Sequence, residues 1–347
     1  MEIEIEGRKI GHGHAPYIIA ELSANHNGCL ERALKTISEA KARGACAIKL
    51  QTYSADTMTI DSDKRDFQIT EGPWSGYNLY KLYEWAQTPF DWHKAMFEHA
   101  RNIGITVFST PFDETAVDLL EDLNAPAYKI ASFEMTDLPL VRYVASTGKP
   151  LIMSTGMATE EEIEESVATA RDAGAKSFVL LHCISSYPAP MEQANIRQMS
   201  ALARRFGTIP GLSDHTLGTA ASVAAVALGA NVIEKHFTLS RNDKGPDSEF
   251  SIEPSELEAL CRDARDAWLA LGQEGFARQE AEKKSQVFRR SVYFVKDLKA
   301  GERVSQQDIR RIRPGYGLAP KYYSELIGRR LKVNVERGTA TSWEQFE

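Results

Sequence analysis

Two short segments end an apolar run in histidine: GLSDHT at 211–216 and VIEKHF at 232–237. Charged and imidazole groups at the end of a buried segment are costly unless something meets them there. His215 and His236 close successive segments, so their imidazoles can converge on one ion. Two histidines with oxygen donors suit Zn, Mn, Fe or Co and leave positions open for substrate or water. The plainer reading is a pair of hydrogen-bonded core histidines, but the acids beside them, Asp214 and Glu234, favour a metal. Lys49 in AIKLQTY and Lys129 in AYKIAS lie in two further apolar runs. With the hydroxyls of Thr110, Ser132, Ser154 and Ser213 they suit a compact polyanion, a phosphate or a carboxylate. Deep lysines otherwise need carboxylate partners, and Glu21 or Glu234 could serve. Glu21, ending YIIAEL, is also placed to act as an acid, a base or a water ligand. An anion pocket beside an ion that polarises a carbonyl fits two chemistries. One joins a phosphorylated small molecule to an aldehyde; the other isomerises a sugar.

The elements that carry these residues repeat. Apolar, β-rich runs lie at 17–22, 47–53, 105–111, 127–132, 150–156, 177–183, 209–215 and 231–237, with helical patterns between them. Thr159 followed by Glu160, Glu161 and Glu162 places an N-cap and negative charge where a helix dipole favours both. Eight strands alternating with helices predict a (β/α)8 TIM barrel. An open doubly wound sheet is the alternative, but IAELSANHNG after the first strand has only one glycine, not a nucleotide-binding fingerprint. Barrels gather functional groups at the C-terminal ends of their strands. The residues above fall there, together with Gln51, His182 and Ser185. The long segment 54–88 between the second strand and its helix is expected to shape a substrate pocket. The predicted organisation is a barrel domain over 1–271, a polar linker over 272–288 and a small C-terminal domain over 289–347.

Composition narrows the class. A net charge of −7 over 347 residues argues against a broad nucleic-acid-binding face. Cys29, Cys46, Cys183 and Cys261 are scattered without a CxxC pair, which suits a reducing compartment. The first residues, MEIEIEGRKIGHGH, lack the apolar core of a signal peptide, and AASVAAVALGA is too short to span a bilayer. A cytoplasmic enzyme with no membrane or nucleic-acid partner is expected.

The motifs IIAELSANHNG, AIKLQTY, FSTPFD, YKIAS, STGMAT, GLSDHT and VIEKHFTL resemble the sialic acid synthase family throughout the barrel. RPGYGLAPKYYSELIGR resembles that family's C-terminal antifreeze-like (SAF) domain, so the likeness spans essentially the whole chain. Within the family, AELSANHNG, LQTYSADTMTIDS and LYKLYEWAQTPFDWH look most like the pseudaminate branch. The resemblance implies condensation of phosphoenolpyruvate with an open-chain amino sugar, 2,4-diacetamido-2,4,6-trideoxy-L-altrose in that branch, with release of phosphate. An N-acetylneuraminate or legionaminate precursor is the alternative sugar, and a carbohydrate-binding protein without catalysis is the alternative class. It also implies that Lys49, Thr110, Lys129, Ser132, Ser154 and Ser213 hold phosphoenolpyruvate. His215 and His236 would bind Mn²⁺, with Mg²⁺ or Co²⁺ as alternatives, and Glu21 would assist the sugar or water chemistry. Asp214 and Gln51 would contact substrate or water, Asp214 as a catalytic group. Ser185 stands where neuraminate synthases place an asparagine beside phosphoenolpyruvate, which suits the pseudaminate branch. Arg313 matches an arginine that contacts an N-acetyl group across a domain-swapped homodimer.

Overall fold

The computed structural model describes residues 1–347. A hairpin of β1 (Glu2–Ile5) and β2 (Arg8–Gly11) comes first. Eight strands follow: β3 (Tyr17–Glu21), β4 (Ala47–Thr52), β5 (Thr106–Pro111), β6 (Tyr128–Ile130), β7 (Leu151–Ser154), β8 (Phe178–Cys183), β9 (Ile209–Asp214) and β10 (Val232–His236). They pair in parallel in chain order, and β10 pairs back onto β3, so the sheet closes into a barrel with helices between its strands. All eight predicted runs contain one of these strands. Each run is legible because both faces of every strand are covered, which makes it almost continuously apolar.

Side chains along each strand alternate between two cores. Outward residues such as Ile48, Leu212 and Ile233 join a large cluster under the helices, while inward residues such as Ala47, Phe108, Ile152 and Val232 fill the barrel. Ile3, Ile5 and Ile10 of the hairpin pack into that inner cluster. The hairpin, which no motif marks in the sequence, plugs the barrel at its N-terminal end. Gly211 is required inside, because a Cβ there would lie 2.4 Å from Leu181 and 2.7 Å from the Val232 carbonyl. The predicted cap on the Glu160–Asp172 helix is present: the Thr159 hydroxyl accepts from the Glu162 amide, and Glu162 accepts from the Thr159 amide.

The chain divides after Gly272 into two compact units. In the second, β11 (Ser291–Phe294) and β12 (Ile309–Ile312) pair antiparallel over a small core that includes Val292, Phe294, Ile309, Leu326 and Leu331. No helix is long and apolar enough to cross a membrane.

Candidate active site

The inward parity of each strand continues to its C-terminal end, where apolar residues give way to polar ones. Glu21, Lys49, Thr110, Lys129, Ser154, Ser213 and Glu234 are all buried there. The Lys49 ammonium donates to the Thr110 hydroxyl at 3.0 Å and lies 2.5 Å from Glu21 and 3.8 Å from Glu234. The Lys129 ammonium lies 3.5 Å from the same Glu234 oxygen, which accepts from Ser213 at 3.2 Å. Both lysines therefore have carboxylate partners. With Glu21 and Glu234 they form a lattice of two ammonium groups and two carboxylates.

That lattice leaves groups unmet. The second Glu234 oxygen, the Ser154 hydroxyl and Nδ1 of His236 are buried without a hydrogen-bond partner. Unsatisfied buried polar atoms are rare and costly, so three around one mouth mark a place where a ligand completes the bonding. Burial pushes the Glu21 carboxyl up to about 7 against the pull of Lys49. Burial pushes Glu234 the same way, but Lys129 and Lys49 overcome it and hold that group below its ordinary value. Beside them Ser132 accepts from the Gly156 amide at 3.1 Å. A Cβ on Gly156 would sit 2.2 Å from the Ser185 hydroxyl and 2.7 Å from that of Ser132, so glycine lets the three converge. Gln51 donates to Glu21 at 3.0 Å and lines the adjoining cavity.

His215 and His236 face each other, with ring centroids 5.5 Å apart. Nδ1 of His215 lies 2.9 Å from the Ile184 carbonyl, an arrangement in which it donates and leaves Nε2 with a free lone pair. Burial holds His236 well below the ordinary histidine value, so its ring is neutral. Two convergent imidazoles, one of them neutral with an orphaned nitrogen, fit a divalent ion; Cys183 beside His215 outweighs burial and holds that imidazole above its ordinary value, so an ion there would displace its proton. No third His, Cys, Asp or Glu joins them in a cluster of metal-binding type. The remaining positions would thus go to water or substrate. Tyr187, with its ring 4.3 Å from His215, and Phe250, 5.0 Å from His236, wall the pair.

Two residues placed with this group by sequence face elsewhere. Asp214 points outward: its carboxylate accepts from the Thr216 amide and hydroxyl and from Ser222, and pairs with Lys235 at 2.9 Å. With every lone pair engaged behind the barrel wall, it is a poor acid or base. His182 also points outward, bonded to the Ala194 carbonyl at 2.9 Å. His26, in the loop after β3, is a packing residue that meets Thr88 and the edge of Trp92. Arg313 lies in the second unit, exposed just after β12.

A cavity of about 310 Å³ adjoins His236. The 54–88 segment forms one wall, through residues such as Met58, Trp74, Leu79, Leu82 and Tyr83. Glu134 and Asp247 also line it, and neither was selected from sequence. Asp247 accepts from Ser23 at 2.5 Å, tying the loop after β10 to the loop after β3. Glu134 has a buried oxygen without a partner, and burial raises its carboxyl to about 7 from 4.5. Its protonated form therefore stabilises the fold fully below pH 4.5, and that contribution is lost as pH rises through 7. The loss amounts to about 3 kcal/mol. Relative to Glu134→Gln, the wild type should become less stable by about that much between pH 4.5 and 8. Urea unfolding of both proteins across that range checks this, and a constant difference would refute it.

The NeuB family matches residues 36–275 and the SAF domain matches 289–347. The pseudaminic acid synthase of Campylobacter jejuni is 45% identical over 331 residues, 95% of this chain and 96% of that protein. The pseudaminic acid synthase of Helicobacter pylori is 40% identical, over 96% of this chain and 98% of its own length. Among solved structures, the N-acetylneuraminic acid synthetase of Leptospira borgpetersenii superposes with a TM-score of 0.74 at 32% identity. It covers 82% of this chain and 95% of that one. On fold, motifs and full-length similarity together, the chain belongs to the NeuB family and carries a SAF domain after its barrel.

Proposed function

We propose that this chain is a pseudaminic acid synthase. It condenses phosphoenolpyruvate with 2,4-diacetamido-2,4,6-trideoxy-L-altrose to give pseudaminic acid and phosphate. The observation that carries this reading is the 45% identity to the Campylobacter jejuni enzyme over 95% of the chain. The match is long enough to include both the strand ends and much of the cavity wall. That wall supports the choice of sugar, because Met58, Leu79 and Leu82 suit a methyl group at C6 and acetamido methyls better than hydroxyls.

In this reading Lys49 and Lys129, with Thr110, Ser132, Ser154, Ser185 and Ser213, hold the phosphate and carboxylate of phosphoenolpyruvate. The ammonium groups are already neutralised by Glu21 and Glu234, so the incoming anion competes with carboxylates for them. His215 and His236 would hold the divalent ion, Mn²⁺ with Mg²⁺ or Co²⁺ as alternatives, which supplies a Lewis acid for the sugar's carbonyl oxygen. C3 of phosphoenolpyruvate forms the new bond to the aldehyde carbon, water adds at C2, and the C2–O bond breaks to release phosphate. Glu21, with a carboxyl near 7, can hold or release the proton of that water at neutral pH. Gln51 orients Glu21. Fixing both substrates against these groups supplies the proximity part of the rate.

We further propose that the working protein is a homodimer in which Arg313 of one copy contacts an N-acetyl group in the site of the other. Its exposure in the second unit leaves its guanidinium available.

The deciding measurement is phosphate release from phosphoenolpyruvate with Mn²⁺, offered three sugars in parallel. These are the L-altro diacetamido sugar, the legionaminate precursor and N-acetylmannosamine. Turnover confined to the first is expected. Turnover with another sugar overturns the acceptor assignment, and silence with all three overturns the enzyme.

A further inference from the structure

Behind the two histidines lies an ion pair that the chemistry above does not use. β9 and β10 are adjacent and parallel, and their register sets Lys235 directly beside Asp214. Both side chains are 1% exposed and 2.9 Å apart. They point away from the barrel interior, so neither reaches substrate. The next residue on each strand, His215 and His236, turns inward to the mouth. The pair thus bridges the two strands one residue before each imidazole.

Its bonds reach further than the pair itself. Lys235 donates to the Thr216 carbonyl at 2.6 Å and to the Asp214 carbonyl at 3.4 Å. Asp214 accepts from the Thr216 amide at 2.9 Å and hydroxyl at 2.7 Å. It also accepts from Ser222, at 2.5 Å, on the helix Ala220–Ala227 that follows. His215 is therefore flanked by two residues, Asp214 and Thr216, whose backbone oxygens are both anchored to a side chain of β10. Apolar residues could fill such a site with no loss of stability, since a buried ion pair seldom outperforms good packing. What apolar residues would lack is direction: a fixed length and angle between the two strand ends.

We infer that Asp214 and Lys235 form a clamp that sets the separation and aim of His215 and His236 for a divalent ion. This rests on the reading of those histidines as metal ligands. The two residues are positioning residues, acting through the imidazoles and touching no reacting atom. Supporting groups that hold metal ligands in place are commonly worth ~10- to ~100-fold in metal affinity.

The test is Mn²⁺ affinity of the full chain, read from the free-ion signal in electron paramagnetic resonance. Phosphoenolpyruvate affinity and the melting temperature in chelator are measured on the same samples. Asp214→Asn alone leaves Lys235 buried without a counter-charge and risks misfolding. The variants are therefore the neutral double Asp214→Asn with Lys235→Met, and the milder Ser222→Ala. The double variant should bind Mn²⁺ ~10- to ~100-fold more weakly and Ser222→Ala a few-fold more weakly. Both should bind phosphoenolpyruvate as the wild type does. Equal weakening towards both ligands would show a general structural role, and unchanged Mn²⁺ affinity in the folded double variant would overturn the clamp outright. Wild type that binds no Mn²⁺ would overturn the metal reading itself, and the clamp with it. His236→Phe, measured alongside, separates these outcomes, because it should lose Mn²⁺ whether or not the clamp exists.

Discussion

Lys129→Met should weaken phosphoenolpyruvate binding at least about 30-fold, and adding Glu234→Gln should recover stability without recovering affinity. Lys129 is buried and lies 3.5 Å from Glu234, which has Lys49 at 3.8 Å as its other cation. Burial alone would drive Glu234 to its neutral form; the two lysines keep it charged. Removing one lysine leaves a buried carboxylate half-compensated, and the fold should lose ~2–3 kcal/mol, below the usual cost of breaking such a pair because Lys49 stays. Changing Glu234 to glutamine removes the excess charge and should return most of that loss. Affinity behaves differently. Truncating one partner of a buried charged contact costs ~2–5 kcal/mol of binding, or about 30- to 5,000-fold. No charge correction at Glu234 restores the missing ammonium. If Lys129 served only to neutralise Glu234, the double variant would regain binding together with stability. Calorimetric titration and thermal unfolding of the wild type, the single and the double variant decide between the two roles.

The strand ends were legible in sequence because a buried parallel strand is apolar until it meets solvent or ligand. The polar residue that interrupts it therefore stands out, as Lys49 does in AIKLQTY and Ser213 in GLSDHT. Which of two neighbouring polar residues faces inward was legible too, through the period of two. Ser213 and His215 share one parity, and Asp214 has the other. Grouping all three by position along the chain assigned chemistry to a residue that points at the helix layer. The hairpin of β1 and β2 was missed for a different reason. Its alternation of Glu and Ile reads as exposed on one side, and the other side has a purpose only once the barrel's open end exists. Glu134, Tyr187 and Asp247 come from loops, where no period marks them. The Asp247 bond to Ser23 spans 224 residues, a pairing that only the closed barrel brings about. The carboxylate partners of the lysines were named as candidates in the sequence, but their distances were not there to be read.

His236→Phe should lower kcat/KM about 1,000-fold or more, with no recovery at millimolar Mn²⁺, while leaving the metal-free fold as stable as the wild type. The first part follows from losing one of two protein ligands, since a metal's stabilisation of developing charge is worth several kcal/mol, ~4 for a thousandfold. The second part follows from the orphaned nitrogen. Nδ1 of His236 is buried without a partner, and such an atom costs ~1–3 kcal/mol. Phenylalanine keeps an aromatic ring beside Phe250 and Tyr187 and removes that atom. In chelator the variant should therefore melt within a few degrees of the wild type or above it. A core histidine held by hydrogen bonds would give the opposite result, a lower melting temperature with activity falling only in proportion to unfolding. Mn²⁺ adds a further contrast. A ligand that binds only the native state raises its stability by mass action, so Mn²⁺ should raise the wild-type melting temperature and leave the variant's unchanged. His215→Phe is a less clean probe, because Nδ1 of His215 bonds the Ile184 carbonyl and its loss removes one of the two bonds that oxygen accepts, leaving only the Ser186 amide. The asymmetry between the two histidines is itself informative. One is anchored by the backbone and the other is free to be claimed, so an ion seated between them would complete His236 and leave the bond of His215 intact.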